Sequence, residues 1–168
     1  MKKVKIVIAS DAHRHIEEMD KIIQKEKDGD YFWDLGDNFC YEMPTEKFLS
    51  EWTSVLGNND FYPYPEKRDF EIFGIRIRMM HGDYLFCRYE TIQEFLDYMN
   101  RENIQILLFG HTHQRLLYKK DNKMMMNPGS VSRPREFEMI KKGVGTYCVL
   151  TLYEDGTTNV EFKEVSTN

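Results

Sequence analysis

Between Val4 and Asp60 the chain alternates short apolar runs with helix-periodic segments, and few architectures accept that alternation. Val4-Lys5-Ile6-Val7-Ile8-Ala9 reads as a buried strand ending in a polar cluster, Ser10-Asp11-Ala12-His13. Ile16, Met19, Ile22 and Ile23 then recur at helical spacing through about Lys27, where Asp28-Gly29-Asp30 stops the helix. Tyr31-Phe32-Trp33-Asp34-Leu35 is a second strand, closed by Gly36-Asp37-Asn38. Pro44 opens a short helix carrying Phe48, Leu49 and Trp52. Ser54-Val55-Leu56 is a third strand, closed by Gly57-Asn58-Asn59-Asp60. Such a βαβαβ series requires parallel strands joined by helical crossovers.

The pattern then changes. Phe70 to Met79 alternates apolar and charged residues around Gly74, the mark of a hairpin with one wet face, and His81-Gly82-Asp83 closes it. Thr91-Ile92-Gln93-Glu94 is a capping box for a helix with Ile92, Phe95, Leu96 and Met99 on one face. Ile104 through Phe109 is a strand ending at Gly110-His111-Thr112-His113. Two further hairpins turn at Asp121-Asn122 and at Asp155-Gly156, the latter a type I′ signal. The last third reads as strand throughout, so the expected fold is α/β: two mixed sheets packed face to face with helices outside.

At 168 residues a single domain, 1–168, is the expectation, and one core suffices without disulfide or structural metal. A hydrophobic fraction of 41% beside 30% charged residues excludes disordered and low-complexity classes. No apolar run reaches the roughly 18 residues of a membrane span, and the N-terminal run is too short and too charged for a signal peptide. Cys40, Cys87 and Cys148 are odd in number and patternless in spacing, which fits buried inert thiols in a reducing, cytoplasmic setting. A net charge of -5 lacks the basic footprint of a general nucleic-acid binder. Residues 115–142 nevertheless carry eight basic and three acidic side chains. Such a segment is either a solvated hairpin and loop or a rim that attracts an anionic substrate.

Of the five histidines, His13, His81, His111 and His113 stand directly after strand-like runs, in company with Asp11, Asp37 and Asn58. Ligands bind off strand ends in open α/β sheets, so these side chains can converge on one crevice. Singly, Asp11-x-His13, Gly36-Asp37, Gly57-Asn58-Asn59-Asp60 and His81-Gly82 each fit an ordinary turn or a satisfied buried histidine. Gly110-His111-Thr112-His113 speaks more strongly for ligation. As a series, each closing an apolar run, they are hard to reconcile with independent turns. Oxygen and imidazole donors with no cysteine among them favour Mn, Fe, Zn or Ni over a structural Cys-type zinc site. Seven candidate ligands exceed the needs of one ion. Two divalent ions about 3.5–4 Å apart, sharing one carboxylate, would use them all.

The series Asp11-x-His13, Gly36-Asp37, Gly57-Asn58-x-Asp60, His81-Gly82, Gly110-His111-x-His113 and Asn127-Pro128-Gly129-Ser130 resembles the calcineurin-like metallophosphoesterase superfamily, in that family's order. The length resembles its small single-domain phosphodiesterase branch. The resemblance implies a four-layer αββα sandwich. It also implies two divalent cations, Mn foremost: one held by Asp11, His13 and His113, the other by Asn58, His81 and His111, with Asp37 bridging. The implied reaction is hydrolysis of a phosphodiester, in which a water between the two ions loses its proton near neutral pH and attacks phosphorus in line while Asn58 helps to hold the phosphoryl oxygens. Larger relatives carry a histidine after the loop asparagine to help the leaving group. Here that position is Asn59, which has no proton of useful pKa to give. Catalytic contributions are therefore sought from Asn58, Asn59 and Asp60, and Arg133 and Arg135 are the basic residues expected near substrate.

Two other functions compete. The superfamily includes a retromer trafficking subunit that keeps the fold as a protein-binding scaffold, but that subunit has lost key ligands whereas all seven types stand here. A phosphomonoesterase would keep the metals and change the substrate; the absent histidine and small size speak against it. The expected partner is a small-molecule phosphodiester, with no general nucleic-acid or membrane binding, and the oligomeric state is left open. Phe61-Tyr62-Pro63-Tyr64-Pro65 either walls the cleft or packs in the core. Met124-Met125-Met126 reads as buried strand, and His15 as a residue on the surface or behind the ligands.

Overall fold

In the computed structural model, which describes residues 1–166, the chain runs β1 (Lys3–Ala9), α1 (Ile16–Lys25), β2 (Tyr31–Asp34), α2 (Glu46–Glu51), β3 (Thr53–Ser54), β4 (Lys67–Ile72) and β5 (Ile75–Met80). It continues through α3 (Asp83–Arg88), α4 (Ile92–Arg101), β6 (Ile106–Leu108), β7 (Arg115–Lys120), β8 (Lys123–Pro128), α5 (Phe137–Lys142), β9 (Val144–Tyr153) and β10 (Thr158–Ser166). The strands form two five-stranded sheets, ordered β10-β9-β1-β2-β3 and β4-β5-β6-β8-β7. Both are mixed: β1, β2 and β3 are parallel, as are β5, β6 and β8, and antiparallel strands complete each sheet.

Alternation along each strand builds the layers. Ile6 and Ile8 face the second sheet and meet Ile77, Met79, Leu108, Met124 and Met126 in the central core. Val7 and Ala9, pointing the other way, pack against Met19 and Ile22 of α1 and Phe48 of α2. On the far side, Leu107 and Met125 meet Leu85 of α3 and Phe95, Leu96 and Met99 of α4. The result is helix, sheet, sheet, helix. Trp33, 1% exposed, stacks on Phe70 at 4.3 Å between ring centroids and pins one sheet to the other.

Several local expectations change. Pro44 does not open α2; Thr45 caps it, its Oγ1 accepting the Phe48 amide at 3.2 Å, so the proline stands outside the helix. α1 ends at Lys25, two residues early, with Glu26 as its cap. The third strand is the pair Thr53–Ser54, because the Leu56 amide turns away to the Pro65 carbonyl at 2.8 Å. Only Ile106–Leu108 of the run from Ile104 to Phe109 is paired as strand. The Asp155-Gly156 connection spans four residues, 154–157, and Gly156 but not Asp155 has positive φ, so it is not a type I′ turn. The capping box of α4 forms in full.

Two helices were absent from the expectation. α3 begins directly after His81-Gly82 and buries Leu85. α5 interrupts the all-strand last third, with Lys141 and Lys142 in its last turn and Gly143 left-handed at its C-cap. Both are six residues long, too short to establish a helical period against the neighbouring strand pattern.

Candidate metal centre

Loops leaving β1, β2, β5 and β6 meet at one edge of the sandwich and hold one another by backbone bonds. The Asp11 amide donates to the Gly36 carbonyl at 3.0 Å, His13 to Asp37 at 2.9 Å, and Gly110 to His81 at 2.8 Å. Such tight loops need left-handed backbone: Asp11, His13, Asp37, His111 and His113 all have φ between 43° and 70°. A non-glycine residue in that region costs of order 1–3 kcal/mol and persists only where its surroundings over-determine it. The strain is therefore concentrated among the candidate ligands.

At the centre lies Asp11, wholly buried. Its Oδ2 accepts the Ser10 hydroxyl at 2.6 Å and the His111 amide at 3.0 Å. Its Oδ1 has no hydrogen-bond partner. Around that atom stand Nε2 of His113 at 3.3 Å, of His13 at 3.7 Å and of His81 at 3.8 Å. Asp37 Oδ2 lies 3.4 Å from His81 Nε2 and 4.0 Å from His13 Nε2. Two clusters result, Asp11-His13-His113 and Asp11-Asp37-His81. His111 joins the second through Nδ1, 3.3 Å from His81 Nε2.

Backbone carbonyls settle which nitrogens face inward. His81 Nδ1 donates to the Leu35 carbonyl at 2.7 Å and His113 Nδ1 to the Arg133 carbonyl at 2.8 Å. An oxygen acceptor requires the proton on Nδ1, which leaves each Nε2 lone pair for the centre. Ring nitrogens also face each other, His13 Nε2 and His113 Nε2 being 3.2 Å apart, as side chains converging on shared ions do.

The charge balance calls for cations. Burial raises the Asp11 carboxyl, yet His113 and His13 against it hold it well below the usual carboxylate range. Burial likewise opposes ionisation of Asp37, and His81 overcomes it. For His81 burial disfavours the proton, but Asp37 and Asp11 outweigh it and push the imidazole up to about 9, so without a cation the two carboxylates draw onto Nε2 a proton that a metal ion would have to displace. Burial and the neighbouring His81 charge lower His111. A buried carboxylate oxygen with no partner, ringed by imidazole nitrogens, is the donor set of a borderline divalent ion. The residues fit a dinuclear site.

A family model for the calcineurin-like phosphoesterase superfamily domain matches residues 4–155. The chain belongs to that superfamily. A probable metallophosphoesterase of Methanothermobacter thermautotrophicus is 30% identical over 138 residues, 77% of this chain and 78% of that one. One of Methanocaldococcus jannaschii is 32% identical over 90 residues, but the match spans only 46% of that protein and 53% of this chain. The fold also matches a conserved uncharacterised protein, a predicted phosphoesterase, of Streptococcus pneumoniae with a TM-score of 0.74 at 23% identity, covering 97% of this chain and 99% of that one. Vps29 of Entamoeba histolytica, complexed with Zn2+, gives 0.70 at 18% identity, covering 98% and 100%. An archaeal phosphodiesterase gives 0.67 at 19%, covering 95% and 100%.

Set in a calcineurin-like phosphoesterase, the other candidate residues separate by duty. Asn58 is exposed and lines the cavity beside His81. Asn59 turns inward: its Nδ2 donates to Asp37 Oδ2 at 2.8 Å, and its Oδ1 accepts the Tyr41 hydroxyl at 3.2 Å. Asp60 accepts the Gly57 and Asp37 amides at 2.8 and 2.9 Å and so staples the loop. Arg133 and Arg135 are exposed, and what Arg133 gives the centre is its carbonyl. The resemblance makes Asp37 the bridge, whereas the geometry places Asp11 in both clusters and Asp37 in the second only.

Residues outside that set support the candidate site. Asn127 Nδ2 donates to the Gly110 carbonyl at 2.9 Å and Ser130 Oγ to the Asp11 carbonyl at 2.7 Å, so Asn127-Pro128-Gly129-Ser130 positions the loops that carry candidate ligands. Of the three thiols, expected to be mostly buried, Cys40 and Cys148 are buried and Cys87 is exposed, and the Cys40 sulfur lies 3.7 Å from His13 Nδ1. Met124 to Met126 are buried in β8 and His15 is a surface residue, while Phe61 is 68% exposed and so outside the core. Among the described residues no helix is long and apolar enough to cross a membrane.

Proposed function

We propose that this chain is a dinuclear metal-dependent phosphodiesterase. The observation that carries the reading is the partnerless Asp11 Oδ1 with three Nε2 atoms aimed at it. Asp11, His13 and His113 would hold one ion, and Asn58, His81 and His111 the other, with Asp37 between them and manganese the first candidate metal. When bound, such ions neutralise phosphoryl charge and make water nucleophilic near neutral pH.

The chain's own residues supply the geometry. Leu35 and Arg133 carbonyls fix the tautomers of His81 and His113. Ser10, Ser130 and Asn59 lock the two carboxylates and their loops. Exposed Asn58 offers its amide to a phosphoryl oxygen at the mouth. With Asn59 occupied by Asp37, nothing at position 59 protonates the leaving group, which favours esters whose leaving groups are already acidic. The structural likeness to a protein described as an archaeal phosphodiesterase supports diesters as the substrate class.

The test measures hydrolysis of bis(p-nitrophenyl) phosphate and p-nitrophenyl phosphate by chelated protein before and after manganese addition, with metal content determined in parallel. Activity should require metal and favour the diester. Full activity without metal would sink the dinuclear reading; a monoester preference would replace it with a phosphomonoesterase, and stoichiometric metal without turnover with a scaffold.

A further inference from the structure

His81 lines a cavity of about 760 Å³ beside the candidate metal centre. Asn58 and Asp60 line it too. Its walls include Lys67 at the start of β4, Tyr84, Cys87 and Arg88 of the short helix α3, and Glu102 just beyond α4. Its volume lies within the range of small-molecule sites and far exceeds what a phosphoryl group needs. Something larger than phosphate therefore has room next to the ions.

The lining says what. Leu56, Met80 and Tyr98 give it apolar surface, the last two about 5% exposed. Arg88, which also lines the cavity, lies over the Tyr84 ring, 4.3 Å from its centroid, and Tyr84 remains 45% exposed. A guanidinium on a ring is a planar, weakly hydrated surface of the kind on which bases and aryl groups stack. Charge disfavours a second phosphate: Lys67 and Arg88 share the lining with Asp60, Glu66 and Asp83, and with Glu102, itself ion-paired to Arg78 at 3.0 Å, so the balance stays acidic. The aromatic segment from Phe61 to Pro65 contributes nothing to this wall.

We infer that this cavity binds a planar, uncharged ring of nucleoside size carried by the phosphoester, with Tyr84 and Arg88 as specificity-determining residues. The inference rests on the phosphoesterase reading for the position of the phosphoryl group at His81 and Asn58. Helix α3 places both groups, because it starts two residues after His81 with no loop to slacken it.

Cys87 provides a reporter independent of turnover. It lines the cavity and is exposed, whereas Cys40 and Cys148 are buried. Alkylation of Cys87 by N-ethylmaleimide would be followed by mass spectrometry on manganese-loaded protein, with adenosine monophosphate or methyl phosphate as protectant. Adenosine monophosphate should slow alkylation at concentrations where methyl phosphate does not. Tyr84→Ala should weaken that protection roughly tenfold, the scale of losing one stacked base. Arg88→Ala should weaken it in the same direction. Equal protection by both compounds, protection by neither, or full protection in both variants would overturn the inference. Ring-selective protection in a protein that hydrolyses no diester would leave the cavity assignment standing and remove the phosphodiesterase; turnover without such protection would do the reverse.

Discussion

Gly57→Ala isolates one demand of the site, the approach of the Gly57 loop to Asp37. A Cβ at Gly57 would stand 2.1 Å from Asp37 Oδ1, 2.4 Å from its amide nitrogen and 2.8 Å from its Cγ. Gly57 is not at positive φ, so alanine suits the backbone there and the effect is steric. Ordinary contact begins near 3.4 Å, so loop and backbone must part by about 1 Å. They cannot do so freely, because Asp60 Oδ2 ties both amides together and Asn59 holds the Asp37 side chain. Overpacking of this kind costs about 1–3 kcal/mol, a fall in Tm of roughly 2–4 °C per kcal/mol for a domain of this size. Displacing a catalytic constellation by about 1 Å can cost around 10²-fold in rate. Gly156→Ala is the control: φ is +87° with open space around it, so it should cost about 1 kcal/mol of strain and leave the metal site alone. Metal stoichiometry, Tm and kcat/KM on an activated diester would be measured for both. Gly57→Ala with full metal content and kcat/KM within about twofold of wild type would refute the close-approach reasoning.

Asp37→Ala removes a carboxylate that faces His81 and His13, and metal content should fall toward one ion or none; retention of two would show that Asp11 alone bridges. Glu26 is buried and receives Lys163 at 2.9 Å, Lys5 at 3.1 Å and the Tyr147 hydroxyl at 2.9 Å. Burial raises its pKa but these partners hold it below the ordinary glutamate value of about 4.5, so its stabilisation is complete above that pH and is lost as pH falls through the lower folded value. Urea midpoints against pH should lose part of that acid dependence in Glu26→Gln, at a cost of about 1–3 kcal/mol at neutrality; identical pH slopes in both proteins would rule this out. Trp33→Ala should cost about 3–5 kcal/mol in denaturant unfolding through loss of the buried stack on Phe70, and a loss under 1 kcal/mol would mean the sheets repack around it.

Much of the architecture was written locally. Alternation at Ile6, Val7 and Ile8 and the helical period of Met19 and Ile22 specify strand, helix and inward face, because both periods are properties of neighbouring residues. The capping box at Thr91 and Glu94 was legible for the same reason, and the types and order of the candidate ligands identified the superfamily. What tertiary structure alone decided is everything that joins distant segments. His113 lies 100 residues from His13, and His81 is oriented by the Leu35 carbonyl 46 residues away. A carbonyl is common to every residue, so no sequence pattern marks Leu35 or Arg133 as the group that sets a tautomer. The inward turn of Asn59, the sharing of Asp11 between clusters and the cavity walled by α3 follow from how loops of two sheets press together. Residue spacing along the chain encodes local conformation. Distances across the sandwich exist only once both sheets have packed on the core around Trp33 and Phe70.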